Sequence, residues 1–244
     1  TRTVNDMLAR LEGAFGDQRA FLDAAGHELK TPLTVLRGHL ELLDVADPEE
    51  VGETRRLLLD EVDRMSRLVG DLILLAKSAR PDFVATAPTA LGTVTETVLA
   101  KSRALGDRNW VNDCATDVVV PLDEQRITQA LLQLADNSVK HTSPGDTIAI
   151  GSSHDGDRAR LWVRDTGDGV PARDRERIFE RFGRSTVRVG DEGFGLGLSI
   201  VRAIAEAHGG TVHVEDVDPA GSRFVITLAS TRLTPPKEEP WPAS

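Results

Sequence analysis

"AAGHELKTPLTVLRGHLELL", residues 24–43, reads as helix yet sets a proline, Pro32, in its middle. Apolar residues recur through and around it at alternating spacings of three and four: Leu22, Gly26, Leu29, Leu33, Leu36, Leu40 and Leu43. After "ADPEE" the same spacing returns with Leu58, Val62, Met65, Val69, Leu72 and Ala76. Each series places its members on one stripe of a helix, so the first 80 residues are predicted to form a helical hairpin with two apolar seams. Asp47 and Pro48 mark the stop and restart. A proline in the first turn gives up only an amide that has no helical acceptor, and Glu49 and Glu50 face the positive end of the helix dipole. Two helices cannot hide both seams alone, so a four-helix bundle formed by two copies is expected.

With Gly26, Leu33 and Leu40 at one seam position and Leu22, Leu29, Leu36 and Leu43 at the other, His27 falls just outside the seam and faces solvent. Pro32 cannot bond the Glu28 carbonyl and crowds it, which predicts a bend just after the histidine. Two readings of His27 stay open on these residues. It is either a surface histidine in a kinked helix, or a nucleophile whose tautomer Glu28 fixes by accepting the proton of one ring nitrogen. Thr31 lies one turn on, on the same face. A helical zinc pair would need a histidine where Thr31 stands.

The chain has 244 residues, 40% of them hydrophobic, enough for a packed core in one large domain or two smaller ones. Its formal net charge of −10, with basic and acidic residues interspersed, argues against a nucleic-acid partner. One cysteine, Cys114, excludes an intramolecular disulfide. No apolar run reaches the roughly 18 residues a membrane helix needs, and the chain starts at Thr1 without methionine, as a fragment separated from membrane segments would.

Residues 78–88, "SARPDFVATAP", have the composition of a linker. Beyond them helix-like stretches at 89–105 and 123–141 precede strand-like residues 147–152 and 158–165. A helix, "LGLSIVRAIAEAH", and strands near "TVHVED" and "SRFVITLA" follow. That order predicts a two-layer α/β sandwich on a largely antiparallel sheet. The tail "TPPKEEPWPAS" is expected to be disordered.

Three stretches of this half could hold a ligand. In "VRDTGDGVP" Asp165 ends a strand, and Gly167 and Gly169 let the backbone turn and approach a flat ligand. The carboxylate could accept from an exocyclic amine such as adenine's, although "DTGDG" alone also describes a tight turn. "GDEGFGLGLSIV" feeds Gly193, Gly195 and Gly197 into a helix whose free amides suit phosphate. It has neither the lysine of a P-loop nor the spacing of a dinucleotide fingerprint, and a flexible loop is the plain alternative. Gln133, Asn137, Lys140 and His141 form a polar stripe beside the apolar stripe of Ile127, Ala130, Leu131 and Leu134. That stripe would serve Mg²⁺ and phosphates, or simply face solvent.

Taken together, the pieces resemble the sensor histidine kinases of two-component signalling. The ATP-binding part of that family shares the GHKL (Bergerat) fold of gyrase-type, Hsp90-type and MutL-type ATPases. "FLDAAGHELKTPL" resembles the phosphoacceptor box, "LLQLADNSVKHT" the asparagine box, "DTGDG" the first glycine box, "IFERFGR" the phenylalanine box and "GFGLGL" the second glycine box, in that order over roughly residues 20–230.

The resemblance implies an end of a signal-relay linker at 1–18, a dimerisation and phosphotransfer domain at 19–80, a linker at 81–88, a catalytic domain at 89–232 and a tail at 233–244. It implies that ATP phosphorylates His27, with Glu28 as acid/base partner and Thr31 aligning water for dephosphorylation. It further implies that Asn137 ligates Mg²⁺ beside Gln133, that Lys140, His141 and Arg184 serve the phosphates and their surroundings, and that Asp165 reads adenine beside Gly167 and Gly169. Gly193, Phe194, Gly195, Leu196, Gly197 and Leu198 would frame a lid, while Phe179 and Phe182 would pack. Gly26, Gln133 and Phe194 depart from the family's usual serine, asparagine and small or polar residue. The implied partners are a second copy and a response regulator, and the implied setting is the cytoplasmic portion of a membrane-anchored parent. An ATP-gated interaction module or a mainly phosphatase protein is the alternative.

Overall fold

In the computed structural model, which describes residues 2–183, 194–218 and 220–230, the chain divides into two units, Thr1–Leu74 and Leu75–Ser244. The first holds helix α1 (Arg2–Leu42) and most of α2 (Pro48–Lys77). Asp47 caps α2 as its position before Pro48 predicts, its Oδ1 accepting from the amides of Glu49 at 2.9 Å and Glu50 at 3.3 Å. α1 runs continuously through Pro32, which is buried. The hydroxyls of Thr31 and Thr34 turn back onto the carbonyls of His27 at 3.4 Å and Lys30 at 2.9 Å. Much of the predicted seam stays open to solvent: Leu22, Leu33 and Leu40 on α1 and Val62 and Val69 on α2 are all exposed, as is Ile73 outside the seam. No helix among the described residues is long and apolar enough to cross a membrane.

The second unit carries a five-stranded sheet of β2 (Asn109–Cys114), β4 (Thr147–Asp155), β5 (Arg158–Asp165), β7 (Ser222–Ala229) and β6 (Thr211–Asp216), in that spatial order. Only β2 and β4 run parallel, so the expected antiparallel character holds. Helices α3 (Leu91–Ser102), α4 (Glu124–Lys140) and α5 (Gly197–Ala207) lie on one face, making the two layers. Strand alternation sends Ile148, Ile150, Leu161, Val163, Phe224 and Ile226 to that face, where they meet the apolar stripes of α4 (Ile127, Leu131, Leu134) and α5 (Ile200, Ile204). Each such fully buried side chain contributes about 1.5–3 kcal/mol to the core.

Two short strands, β1 (Ala87–Ala90) and β3 (Val119–Leu122), form a separate antiparallel ribbon in which Pro88 faces Pro121. Because β1 takes residues 87–90, helix α3 begins at Leu91 and not at 89, and the linker expected at 81–88 is largely absorbed into this unit. Phe83 is only 6% exposed, with the Arg126 guanidinium 4.4 Å above its ring, and the Ala85 amide donates to Asp123 Oδ2 at 2.9 Å. An apolar ring among linker-like residues is drawn into the core because leaving it in water costs more than ordering the chain around it. Asp123 also caps α4 through the Arg126 amide, and its own amide donates to Nε2 of His208 at the end of α5. His208 thus ties the end of α5 to the start of α4. The expected disordered tail at 233–244 lies outside the described residues.

Candidate active site

Asp165 ends β5 on the helix face of the sheet and is 3% exposed. Its Oδ1 accepts from the Gly167 amide at 3.0 Å and the Ser222 amide at 3.2 Å, while Oδ2 accepts from the Ser138 hydroxyl at 3.0 Å. Burial pushes the carboxyl above its ordinary pKa; the bonds from Gly167, Ser138 and Ser222 and the nearby His141 pull the other way. The carboxylate opens on a cleft of about 590 Å³ whose lining includes Asn137, His141, Asp168, Gly169, Ile178, Leu198 and Phe224.

The glycines of this site are fixed by close approach. A Cβ on Gly167 would stand 2.4 Å from the His141 carbonyl oxygen, so the turn after β5 passes directly against the end of α4. Gly169 has φ 77°, in the left-handed region. On the far side Arg175 pairs with Asp216 and donates to the Val170 carbonyl at 3.3 Å, bracing the turn against the end of β6. Phe179 meets Phe224 edge to face at 6.2 Å beneath the cleft, packing as expected.

The predicted site residues divide into those the cleft gathers and those it does not. Asn137, His141, Asp165, Gly169 and Leu198 line it, and Gly167 is bonded to Asp165. Leu196 is buried, its carbonyl accepting the Ser199 hydroxyl at 2.8 Å in the first turn of α5, so it anchors the glycine-rich segment from below. Gly195 has φ 69° and accepts from the Phe182 amide at 3.0 Å, which clips the phenylalanine stretch to the start of α5; Phe194 precedes it. Gln133 points its amide oxygen at Gly197, where a Cβ would come within 2.8 Å of it, and is not part of the cleft lining. Its longer side chain carries the amide to the start of α5.

Lys140 does not reach into the cleft. It pairs with Asp136 at 2.6 Å, one turn back on α4, and both side chains are more than 40% exposed, so the pair adds little stability. Arg184 and Gly193 lie outside the described residues. Ser138, Asp168 and Arg175 were not singled out by the sequence. Ser138 sits inside the asparagine stretch, and its neighbour Asn137 is the signal that could have drawn attention to it.

His27, Glu28 and Thr31 belong to the other unit. His27 is exposed on α1 as the seam predicts, and Glu28 is half-buried. Consecutive helical residues point about 100° apart, and among the described residues no hydrogen bond joins Glu28 to the His27 ring. Thr31 stands one turn on, its hydroxyl donating to the His27 carbonyl at 3.4 Å.

An enclosed carboxylate with three donors, a glycine turn in contact with a helix end, and an asparagine on the same wall fit a purine nucleotide with its phosphates toward α5. Comparison with known proteins agrees. Residues 122–232 match the family described as histidine kinase-, DNA gyrase B- and HSP90-like ATPase, and residues 17–81 match the His Kinase A (phospho-acceptor) domain.

The chain is 36% identical over 236 residues to the signal transduction histidine-protein kinase/phosphatase MprB of Mycolicibacterium vanbaalenii, covering 91% of this chain and 48% of that protein. It is 35% identical over 252 residues to the probable sensor histidine kinase TcrY of Mycobacterium tuberculosis, covering 97% and 52%. Among solved structures, the histidine kinase AdeS of Acinetobacter baumannii superposes with a TM-score of 0.68 at 28% identity, over 83% of this chain and 97% of that one. The chain spans about half the length of the curated relatives it matches. A phospho-acceptor helical hairpin followed by a GHKL-type ATPase domain, in one chain and in this order, makes it a member of the sensor histidine kinases of two-component systems.

Proposed function

We propose that this chain phosphorylates itself on His27 with ATP and passes the phosphoryl group to an aspartate of a response regulator. The observation that carries the reading is Asp165, buried at the wall of the nucleotide-sized cleft, in a chain whose other unit presents an exposed histidine beside an acid and a proline. Asp165 would accept from the exocyclic amine of adenine, Gly167 and Gly169 would let the base lie against the backbone, and the amides at the start of α5 would face the phosphates. Lys140 would exchange Asp136 for a phosphate oxygen, a small change because an exposed pair is nearly neutral in energy. Asn137 is the residue to hold Mg²⁺, which when bound offsets triphosphate charge.

In the transfer, a lone pair on one ring nitrogen of His27 forms the bond to the γ-phosphorus. The bond between that phosphorus and the β–γ bridging oxygen breaks and ADP leaves. The proton on the other ring nitrogen passes to a base, for which Glu28 is the nearest carboxylate in sequence. Catalysis is then mostly positioning and charge compensation.

The exposed leucine and valine stripes of α1 and α2 support a homodimer through the hairpin, since four such helices can bury what two leave open. The length of the relatives supports a longer parent, and the likeness to sensor kinases is what suggests that this parent is membrane-anchored. The name of the MprB relative carries a phosphatase activity as well, and Thr31, exposed one turn beyond His27, is the group we assign to orient water near a docked aspartyl phosphate.

Incubation with γ-labelled ATP tests the kinase. Acid-labile, alkali-stable label on the wild type and none on His27→Gln, with ATP binding kept in both, is the expected result. Label persisting in His27→Gln moves the acceptor elsewhere. For the phosphatase, Thr31→Ala should keep autophosphorylation and lower release of phosphate from the phosphorylated regulator by about tenfold, the effect of removing one positioning group. Equal loss of both activities would reduce Thr31 to a helix-shaping residue.

A further inference from the structure

Serine inside a helix ordinarily turns its hydroxyl back to the carbonyl one turn earlier. Ser138 does not. Fully buried on α4, it donates across 27 positions of sequence to Oδ2 of Asp165 at 3.0 Å. The other oxygen of that carboxylate is occupied by the amides of Gly167 and Ser222. Donors from α4, from the turn after β5 and from the start of β7 therefore hold the carboxylate in one plane, with one lone pair of Oδ2 left over.

We propose that Ser138 is a positioning residue that aims this remaining lone pair at the exocyclic amine of a purine, and so sets the preference for a 6-amino over a 6-oxo base. The inference rests on the reading of the cleft as an ATP site. Gly167 and Ser222 both act on Oδ1, so they fix that oxygen but leave the carboxylate free to rock about it; among the described residues Ser138 alone restrains Oδ2. The hydroxyl also favours the ionised form that burial opposes, and only that form presents an acceptor on both oxygens. His141, Asp168, Arg175 and Asp216 contribute the other charged or titratable side chains of the cleft. A 6-oxo purine would set a carbonyl oxygen against a carboxylate oxygen that cannot turn away. Rejection of the wrong base is thus built into the restraint as much as into the contact.

The test uses the full chain and the affinities of ATP and inosine triphosphate, measured by titration calorimetry. Wild type should prefer ATP. Ser138→Ala should lower the ratio of the two affinities about tenfold, the loss expected for a hydrogen bond to a charged acceptor, while Ser138→Thr should keep it. In an Asp165→Ala background, adding Ser138→Ala should leave the ratio unchanged, because the group it positions is gone.

This double variant decides the matter even if the extra methyl of threonine is not accommodated in the buried site. An unaltered ratio in Ser138→Ala, or equal weakening of both nucleotides with a lowered melting temperature, would overturn the role of Ser138 and leave the ATP site standing. Absence of ATP binding by the wild type would instead overturn the proposed function itself.

Discussion

Replacing Asp165 by asparagine sets two effects of the same burial against each other. In the nucleotide-free domain the carboxylate is 3% exposed and its pKa lies above the ordinary value, so the folded state binds the proton more readily than the unfolded chain. The stability this group contributes is therefore fully present at acid pH, below the unfolded value, and is lost as pH rises through the folded one. Asparagine carries no charge at any pH. Its oxygen can take the place of Oδ1 before the Gly167 and Ser222 amides, and its amide group can donate to the Ser138 oxygen.

Asp165→Asn should thus be more stable than wild type near neutral pH, with the difference shrinking toward acid. In the nucleotide complex the sign reverses. A donor now faces the adenine amine, itself a donor, and an unmet buried hydrogen bond costs about 1–3 kcal/mol, or about fivefold to 150-fold in affinity. Urea unfolding at several pH values measures the first effect and ATP titration calorimetry the second. ATP affinity within about twofold of wild type would remove Asp165 from base recognition. A stability gain that grows toward acid would refute the sign assigned to its burial.

Gly167→Ala brings a Cβ to 2.4 Å from the His141 carbonyl oxygen, so backbone must shift; unfolding in urea should show a loss of about 1–3 kcal/mol, and an unchanged midpoint would deny the close approach. Asp123→Ala removes the cap of α4 and the acceptor of the Ala85 amide, costing about 1–2 kcal/mol by the same assay, most of which Asp123→Asn should restore. A cost within about 0.3 kcal/mol would mean that water caps the helix as well. Leu33→Glu places a charge on the exposed stripe of α1 and should turn a dimer into a monomer in sedimentation equilibrium; a wild-type chain that is already monomeric would refute the four-helix bundle.

Local periodicity made the helical elements readable. The leucine spacing through 22–43 and 58–76, the Asp47–Pro48 restart and the apolar stripe of Ile127, Ala130, Leu131 and Leu134 are each encoded within a few turns of their own chain. The same holds for β5 and β7, whose short apolar runs, Leu161–Trp162–Val163 and Phe224–Val225–Ile226, are buried at the strand centres. What the sequence left silent are features whose meaning depends on a distant partner.

β2 is an edge strand with exposed ends, and β1 and β3 contain Pro88 and Pro121, which a strand tolerates only where the missing amide has no neighbour to serve. Gly151 looks like a weak point within β4 until Trp162 of β5 is laid across it, 2.4 Å from where a Cβ would stand. Gln133 turns to Gly197 because α5 starts within its reach.

The box motifs name Asp165 and Asn137, which line the cleft, because a ligand bound there would restrict them directly. Ser138 meets only another side chain, 27 residues away. Its role exists only once α4 and β5 are packed together, since a hydrogen bond between distant residues has no local pattern and is decided by tertiary structure alone.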